Sequence, residues 1–391
     1  MIDPVTHLTP EEKLLLSLCR LDFSEERKAE ISRLMSETVD WDRFIKLSNE
    51  HGLIAISRNN ITKTGNSANI PQEYLGILHN GYLRNLTRNT WLYEQLDRIL
   101  ELIKGEDIKV VLLKGMALEK TVYGNQGLRQ MTDIDILVNR EDVLKFKEIL
   151  IRNGFKSEPF KSPIYRYLMP YLNTHIPRLT KGDCHVEIHN KLFDQRDNSL
   201  SEKILESSTP LRINEHQVFI PPPQLFFLYL ISHLEHHMTS GDAQLRMYLD
   251  IYLLICSHYE EIINDNLINY TVETNLQKQL TRVVYLLKVY WNLDFPTWLN
   301  DQITQYDHSK ETDEFLHFLK RPVDGPNKKV SSNYIKQINI IPGFFRKILY
   351  MTGFLFPSPA FMKKRYKAGS KSRAVLYYPV RWLKTLWRLG R

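Results

Sequence analysis

Residues 130–142 read QMTDIDILVNRED, and the two carboxylates in the middle limit what this stretch can become. Ile134, Ile136 and Val138 take one parity while Asp133, Asp135 and Leu137 take the other, which is the alternation of a β-strand with an apolar face. Both carboxylates then leave the strand on one side, about 6–7 Å apart. Like charges on one sheet face repel and resist desolvation, so the pair needs water, basic partners or a cation. A solvated edge strand is one solution, and the flanking sequence has to decide whether it is the right one.

The flanks are ordered in blocks. Up to residue 103 the pattern is helical: SEERKAEISRLMSE opens with a serine cap, DWDRFIKLSNEHG ends on a glycine stop, and PQEYLGILHNGYLRNLTRNTWLYEQLDRILELIKG reads as one bent helix or two. The texture then changes. IKVVLL (108–113) predicts a strand, KGMALEKTVYG a glycine turn into a short helix, and DIDILV a second strand. A helix is expected from about Arg140 to Asn153, capped by Asn139 and closed by Gly154. GDCHVEIHNKLF (182–193) alternates again, with His185, Glu187 and His189 on one face. From PPPQLFFLYLISHLEHHM to about residue 300 the spacing is helical once more. The expected class is α+β, divided into an N-terminal helical region (1–103), a core (104–215), a helical domain (216–310) and a basic C-terminal segment (311–391).

The order of these parts resembles the nucleotidyltransferase superfamily with the DNA polymerase beta-like fold. There a helix after a glycine turn precedes a D-x-D strand, and a third acid sits on a neighbouring strand. The nearer likeness is to an uncharacterised bacterial nucleotidyltransferase family, carried by LLKGMAL (112–118), Arg129 before DIDILV, the H-x-E-x-H strand 185–189 and RMYLDIYLL (246–254). It extends to VDWDRFIKLSNEHGL near the N-terminus and PSPAFMKKRY near the C-terminus. The resemblance implies a small mixed-sheet core flanked by helical domains, moving a nucleotidyl group, AMP foremost, from a nucleoside triphosphate to a hydroxyl. It assigns Asp133, Asp135 and Glu187 as catalytic ligands of two Mg²⁺ ions, which in such sites lie about 3.5–4 Å apart. Lys114, Gly115, Met116 and Arg129 become the phosphate-binding set. Lys114-Gly115-Met116 stands where the superfamily has Gly-Ser, so a serine hydroxyl contact is missing. That departure keeps a non-catalytic nucleotide- or partner-binding protein as an alternative. A toxin-like transferase acting on tRNA or protein is another.

Two histidine groups need a reading. His185 and His189 flank Glu187, and His233 and His237 sit one helical turn apart in HLEHH. Neither matches the zinc-protease spacing, and all four are expected to line an acceptor pocket. Asp250, inside RMYLDIYLL, is expected to pair with Arg246 one turn earlier.

Composition bears on location. Cys19, Cys184 and Cys256 form no C-x-x-C pair, and the first residues show neither a basic nor an apolar leader region; both point to the cytoplasm. The net charge of +7 is uneven, because residues 325–391 hold fifteen Lys or Arg and no acid, leaving 37 basic against 45 acidic residues elsewhere. Residues 348–362 are apolar but too short and proline-broken to span a bilayer. In YYPVRWLKTLWRLGR, Leu383, Leu386, Trp387 and Gly390 share one helical face and Arg381, Lys384 and Arg388 the other. That pattern predicts peripheral contact with an anionic inner-membrane surface, with docking onto the chain's own acidic body as the alternative. Nucleic acid is disfavoured, since the aromatics avoid the basic face.

Overall fold

The strand carrying Asp135 lies at the centre of a seven-stranded mixed sheet. This computed structural model describes residues 7–157, 160–165, 167–168, 175–193, 199–320, 341 and 343–389, with side chains to Lys384. The strands are β1 (Val111–Leu112), β2 (Ile134–Leu137), β3 (Lys156–Ser157), β4 (Leu179–Lys181), β5 (Cys184–His189), β6 (Thr209–Ile213) and β7 (His216–Ile220). Their order is β3-β4-β5-β2-β1-β7-β6. β2 runs parallel to β5 and antiparallel to β1, and all four of its residues are buried, so the solvated-edge solution does not apply. The fold is the expected α+β arrangement with a mixed sheet.

Helices form where local chemistry starts them. α1 (Pro10–Leu18) has a capping box between Thr9 and Glu12, and α2 (Glu25–Ser36) and α3 (Trp41–Glu50) are capped by Ser24 and Asp40. α4 (Ile54–Lys63) packs along α5 (Gln72–Leu102), a single helix of 31 residues. α6 (Lys114–Leu118) runs into a π-turn (Glu119–Tyr123) that Gly124 ends at φ +60°. α7 (Asp142–Arg152) begins later than expected, and Asn139 contributes a carbonyl to it, accepting from Asp142 N at 3.0 Å, instead of a side-chain cap. Beyond the sheet lie the helices Pro223–Ser240 and Leu245–Ser257, followed by Gln277–Trp291. One apolar core runs continuously from Leu8 to Leu319.

Two polar joints tie distant parts of the chain together. His51 sits in the first: its Nδ1 accepts from Leu245 N at 3.1 Å, and its Nε2 lies 3.2 Å from Leu319 O. Burial pushes this imidazole down to about 4, so it stays neutral. In the second joint Arg129 donates Nε and Nη2 to the two oxygens of Asp250, at 2.8 and 2.7 Å, and Tyr123 donates its hydroxyl to the same carboxylate at 2.8 Å. The expected Asp250–Arg246 pair is therefore replaced. A guanidinium arriving from the loop before β2 offers two parallel bonds, while Arg246 turns to Gln130 O and to Gln244 Oε1.

The C-terminal helices Phe344–Leu355, Pro359–Tyr366, Lys371–Val375 and Tyr378–Leu389 carry two small clusters separate from the main core. The amphipathic segment docks on its own predecessor: Arg381 and Trp382 donate to the carbonyls of Phe354 and Leu355 at 3.0 and 2.8 Å. Gly390 and the side chains of Leu386, Trp387 and Arg388 lie outside the described residues. Among the described residues no helix is long and apolar enough to cross a membrane.

Asp250→Ala strands the Arg129 charge in a dry interior and is expected to cost about 3–5 kcal/mol in urea unfolding. The double variant Arg129→Met/Asp250→Leu removes both charges together and is expected to recover most of that loss.

Candidate active site

Register places the carboxylates. In the parallel ladder between β2 and β5, Asp135 pairs with Glu187 and Leu137 with His189, so residues 52 positions apart in the chain present side chains on the same sheet face. Asp135, Glu187 and His189 are all buried, and each offers a ligand atom within 4.8 Å of the others. Asp133 precedes β2, is partly exposed, and accepts from Thr132 Oγ1 at 3.1 Å.

Three acids on one face, two of them buried, need cations, and the protein supplies two. Lys114 Nζ donates to Asp135 Oδ1 at 2.7 Å and lies 3.8 Å from Glu187 Oε2. Arg178, just before β4, donates Nη2 and Nε to Glu187 Oε1 at 2.5 and 3.1 Å and comes within 3.9 Å of Asp133 Oδ2. Burial resists ionisation of Asp135, but the Lys114 ammonium and a 3.1 Å contact from His189 Nε2 outweigh it and hold the carboxyl well below its usual range. Glu187 is also held low: burial and Asp135 raise it, while Lys114, His175 and Arg178 prevail. Asp133 goes the other way, pushed up to about 6 by burial and the Asp135 charge. Lys114 would lose its proton more readily through burial alone, yet Asp135 keeps it firmly charged.

Lys114 reaches this position from a left-handed backbone, φ +45°, a conformation that costs a non-glycine residue about 1–3 kcal/mol and collects at functional sites. Gly115 follows for a packing reason: a Cβ there would stand 2.4 Å from Arg129 Nη1 and 2.8 Å from Met131. Met116 is buried behind it. Thus Arg129 lies against the glycine turn, with its guanidinium committed to Asp250.

The histidines form a track leading away from the acids. Ring centroids are 5.3 Å apart for His175–His189, 6.4 Å for His189–Tyr229, 6.1 Å for Tyr229–His233 and 4.4 Å for His233–His237. His237 Nδ1 meets Asp242 Oδ1 at 2.8 Å. Burial lowers His189 and drives His233 far down, so both imidazoles are neutral. A neutral His189 whose Nε2–H donates to Asp135 carries its lone pair on Nδ1, and that buried nitrogen has no hydrogen-bond partner. His185 lies on the same face of β5 and pairs in register with Thr180.

Sequence reasoning missed Arg178, His175 and Tyr229. Arg178 and His175 stand in no spacing that points to the acids, and Tyr229 is one aromatic among many in an apolar helix. Arg88 was missed too: from the long helix α5 it donates Nη2 to the carbonyls of Thr132 and Asp183 at 2.9 and 3.0 Å, stapling the entry points of β2 and β5.

The buried Asp-Glu-His group could hold a metal ion, and a lysine on a glycine turn lies beside it. Comparison with known proteins agrees with the class. The family model described as uncharacterised nucleotidyltransferase matches residues 37–292. No curated protein matches the chain. The matched span includes His51, the glycine turn, both acidic strands and the helix bearing Asp250, and the chain belongs to this uncharacterised nucleotidyltransferase family.

Proposed function

We propose that the protein is a Mg²⁺-dependent nucleotidyltransferase that moves NMP, AMP foremost, from a nucleoside triphosphate to a hydroxyl acceptor. The observation that carries this reading is the pairing of Asp135 with Glu187 across parallel strands, with His189 beside them. Two carboxylate oxygens and an imidazole nitrogen are donors that divalent ions accept, and the unpartnered Nδ1 of His189 fits a ligand role. Asp135 and Glu187 would hold the ion, with Asp133 completing the set for a second. Bound there, such ions neutralise charge at the α-phosphate and make the attacking hydroxyl more acidic.

The protein's own groups would do the rest. Lys114 answers the Asp135 charge in the resting site. Once that charge is met otherwise, its ammonium is free to take a phosphate oxygen. Arg178 can turn in the same way from Glu187 to the triphosphate. His185, His189, His233 and His237 would line the acceptor pocket, with the His189 Nδ1 lone pair directed to the ion. One observation favours the non-catalytic reading: the Lys114 contact at 2.7 Å already neutralises Asp135 without any ion. Incubation with each α-labelled NTP, Mg²⁺ and cell lysate separates the two, because an enzyme transfers label to RNA, protein or a small molecule and a binding protein transfers none.

Ligand-dependent melting tests the ligand assignment. Wild type is expected to gain about 2–3 kcal/mol with Mg²⁺ and a non-hydrolysable NTP near a hundredfold excess over Kd, and Asp135→Asn none. Equal gains in both would overturn it. Mn²⁺ and Zn²⁺ in parallel show whether the histidine nitrogen shifts the preference.

Asp133 gives a test in pH. Its folded value of about 6 exceeds the ordinary 3.8, so the cost of ionising it is absent below the lower value, grows between the two, and is complete above the higher. Asp133→Asn is therefore expected to be more stable than wild type by about 1–2 kcal/mol near pH 7.5, with the difference gone by about pH 4. A constant difference across that range, in urea midpoints, would remove the electrostatic explanation.

A further inference from the structure

The helix Phe344–Leu355 packs one face inward and leaves a broad apolar face in water. Tyr350 and Gly353 are buried, and the Tyr350 ring stacks on Tyr165 at 5.4 Å. On the other side Met351, Phe344, Ile348, Phe345 and Leu349 follow one another around the helix at 3.6 residues per turn, and all are exposed, Phe345 at 80% and Phe344 at 73%. Of the 18 exposed large hydrophobic side chains among the described residues, 11 fall between residues 344 and 383. Leu376 and Leu383, at 75% and 68%, belong to this set. A soluble surface rarely gathers so much apolar area without a partner for it.

The charges around it say which partner. Arg346 and Lys347 flank the stripe, Lys363, Lys364 and Arg365 are exposed on the following helix, and no acid occurs from residue 325 to the end. A second copy meeting this one through the same face would bring cations against cations. A nucleic acid would leave Ile348, Leu349, Leu376 and Leu383 without stacking faces. An anionic lipid surface answers both features, with acyl chains for the stripe and headgroups for the ring of Lys and Arg. We propose that this C-terminal unit, led by the helix Phe344–Leu355, seats the protein on an anionic bilayer surface. The residues used differ from those that the sequence's amphipathic pattern suggests, because Arg381 and Trp382 are spent on holding the last helix to Phe354 and Leu355.

The test uses the full chain with vesicles of phosphatidylcholine alone or mixed with phosphatidylglycerol. Wild type is expected to pellet with the mixed vesicles and far less with the neutral ones. Phe344→Ser/Ile348→Ser, at exposed positions, is expected to leave the melting curve unchanged and to weaken binding by about tenfold or more. Lys363→Gln/Lys364→Gln/Arg365→Gln is expected to lower binding to mixed vesicles only. Equal pelleting with both vesicle types, no pelleting with either, or binding that the Phe344/Ile348 variant leaves intact would overturn the proposal. So would a lipid-free dimer that the same variant dissolves, since that would assign the stripe to a second copy.

Discussion

The bidentate bond between Arg129 and Asp250 is the constraint on which the arrangement of the site depends. Its guanidinium crosses from the loop before β2 to the helix Leu245–Ser257, and the glycine turn at Gly115 closes over it. Asn89 from the long helix α5 fixes the backbone at that point by donating to Arg129 O at 2.7 Å. Turn, strand and two helices are thereby referenced to one planar group. A lysine in its place would supply charge but not the two parallel bonds that set orientation.

The second constraint is charge balance on the acidic face of β2 and β5. Asp135 and Glu187 stay ionised although buried, because Lys114 and Arg178 are held against them, while Asp133, further from both cations, keeps its proton to a higher pH. Two aspartates separated by one residue thus acquire opposite behaviour from their surroundings. The same arrangement explains the strained backbone at Lys114. An extended or right-handed conformation would send that side chain elsewhere, and the neutralising contact offsets the local cost.

Much of this was legible in the sequence because periodicity survives without tertiary context. Ile134, Ile136 and Val138 against Asp133 and Asp135 announced β2, and Val186 and Ile188 around Glu187 announced β5. Where a single contact decides, the sequence was silent or misleading. β3 and β4 have two and three residues, too few to show alternation, and form because β5 offers β4 an edge and β4 offers one to β3. The hairpin of β6 and β7 was not anticipated, since Thr209–Ile213 is mostly exposed and carries a proline. Asp250 was matched to Arg246 by proximity in the helix, but geometry preferred a residue 121 positions away. The glycine in KGM suggested room for a phosphate, and it is required at least as much by the Arg129 side chain beneath it.

The separation of these partners along the chain has a consequence for how the protein is made. Arg129 emerges from the ribosome 121 residues before Asp250, and His51 emerges 194 before Leu245 and 268 before Leu319. Contacts between such distant positions carry a large loop-closure cost and form late. β1, β2 and β5 can pair and Lys114 can meet Asp135 while the C-terminal helices are still being synthesised. Until Asp250 arrives, however, a guanidinium destined for the interior has no counter-charge and must remain hydrated. The nascent sheet therefore keeps one side open through roughly a third of the chain's synthesis, and completion of the helix Leu245–Ser257 is the step that dries it.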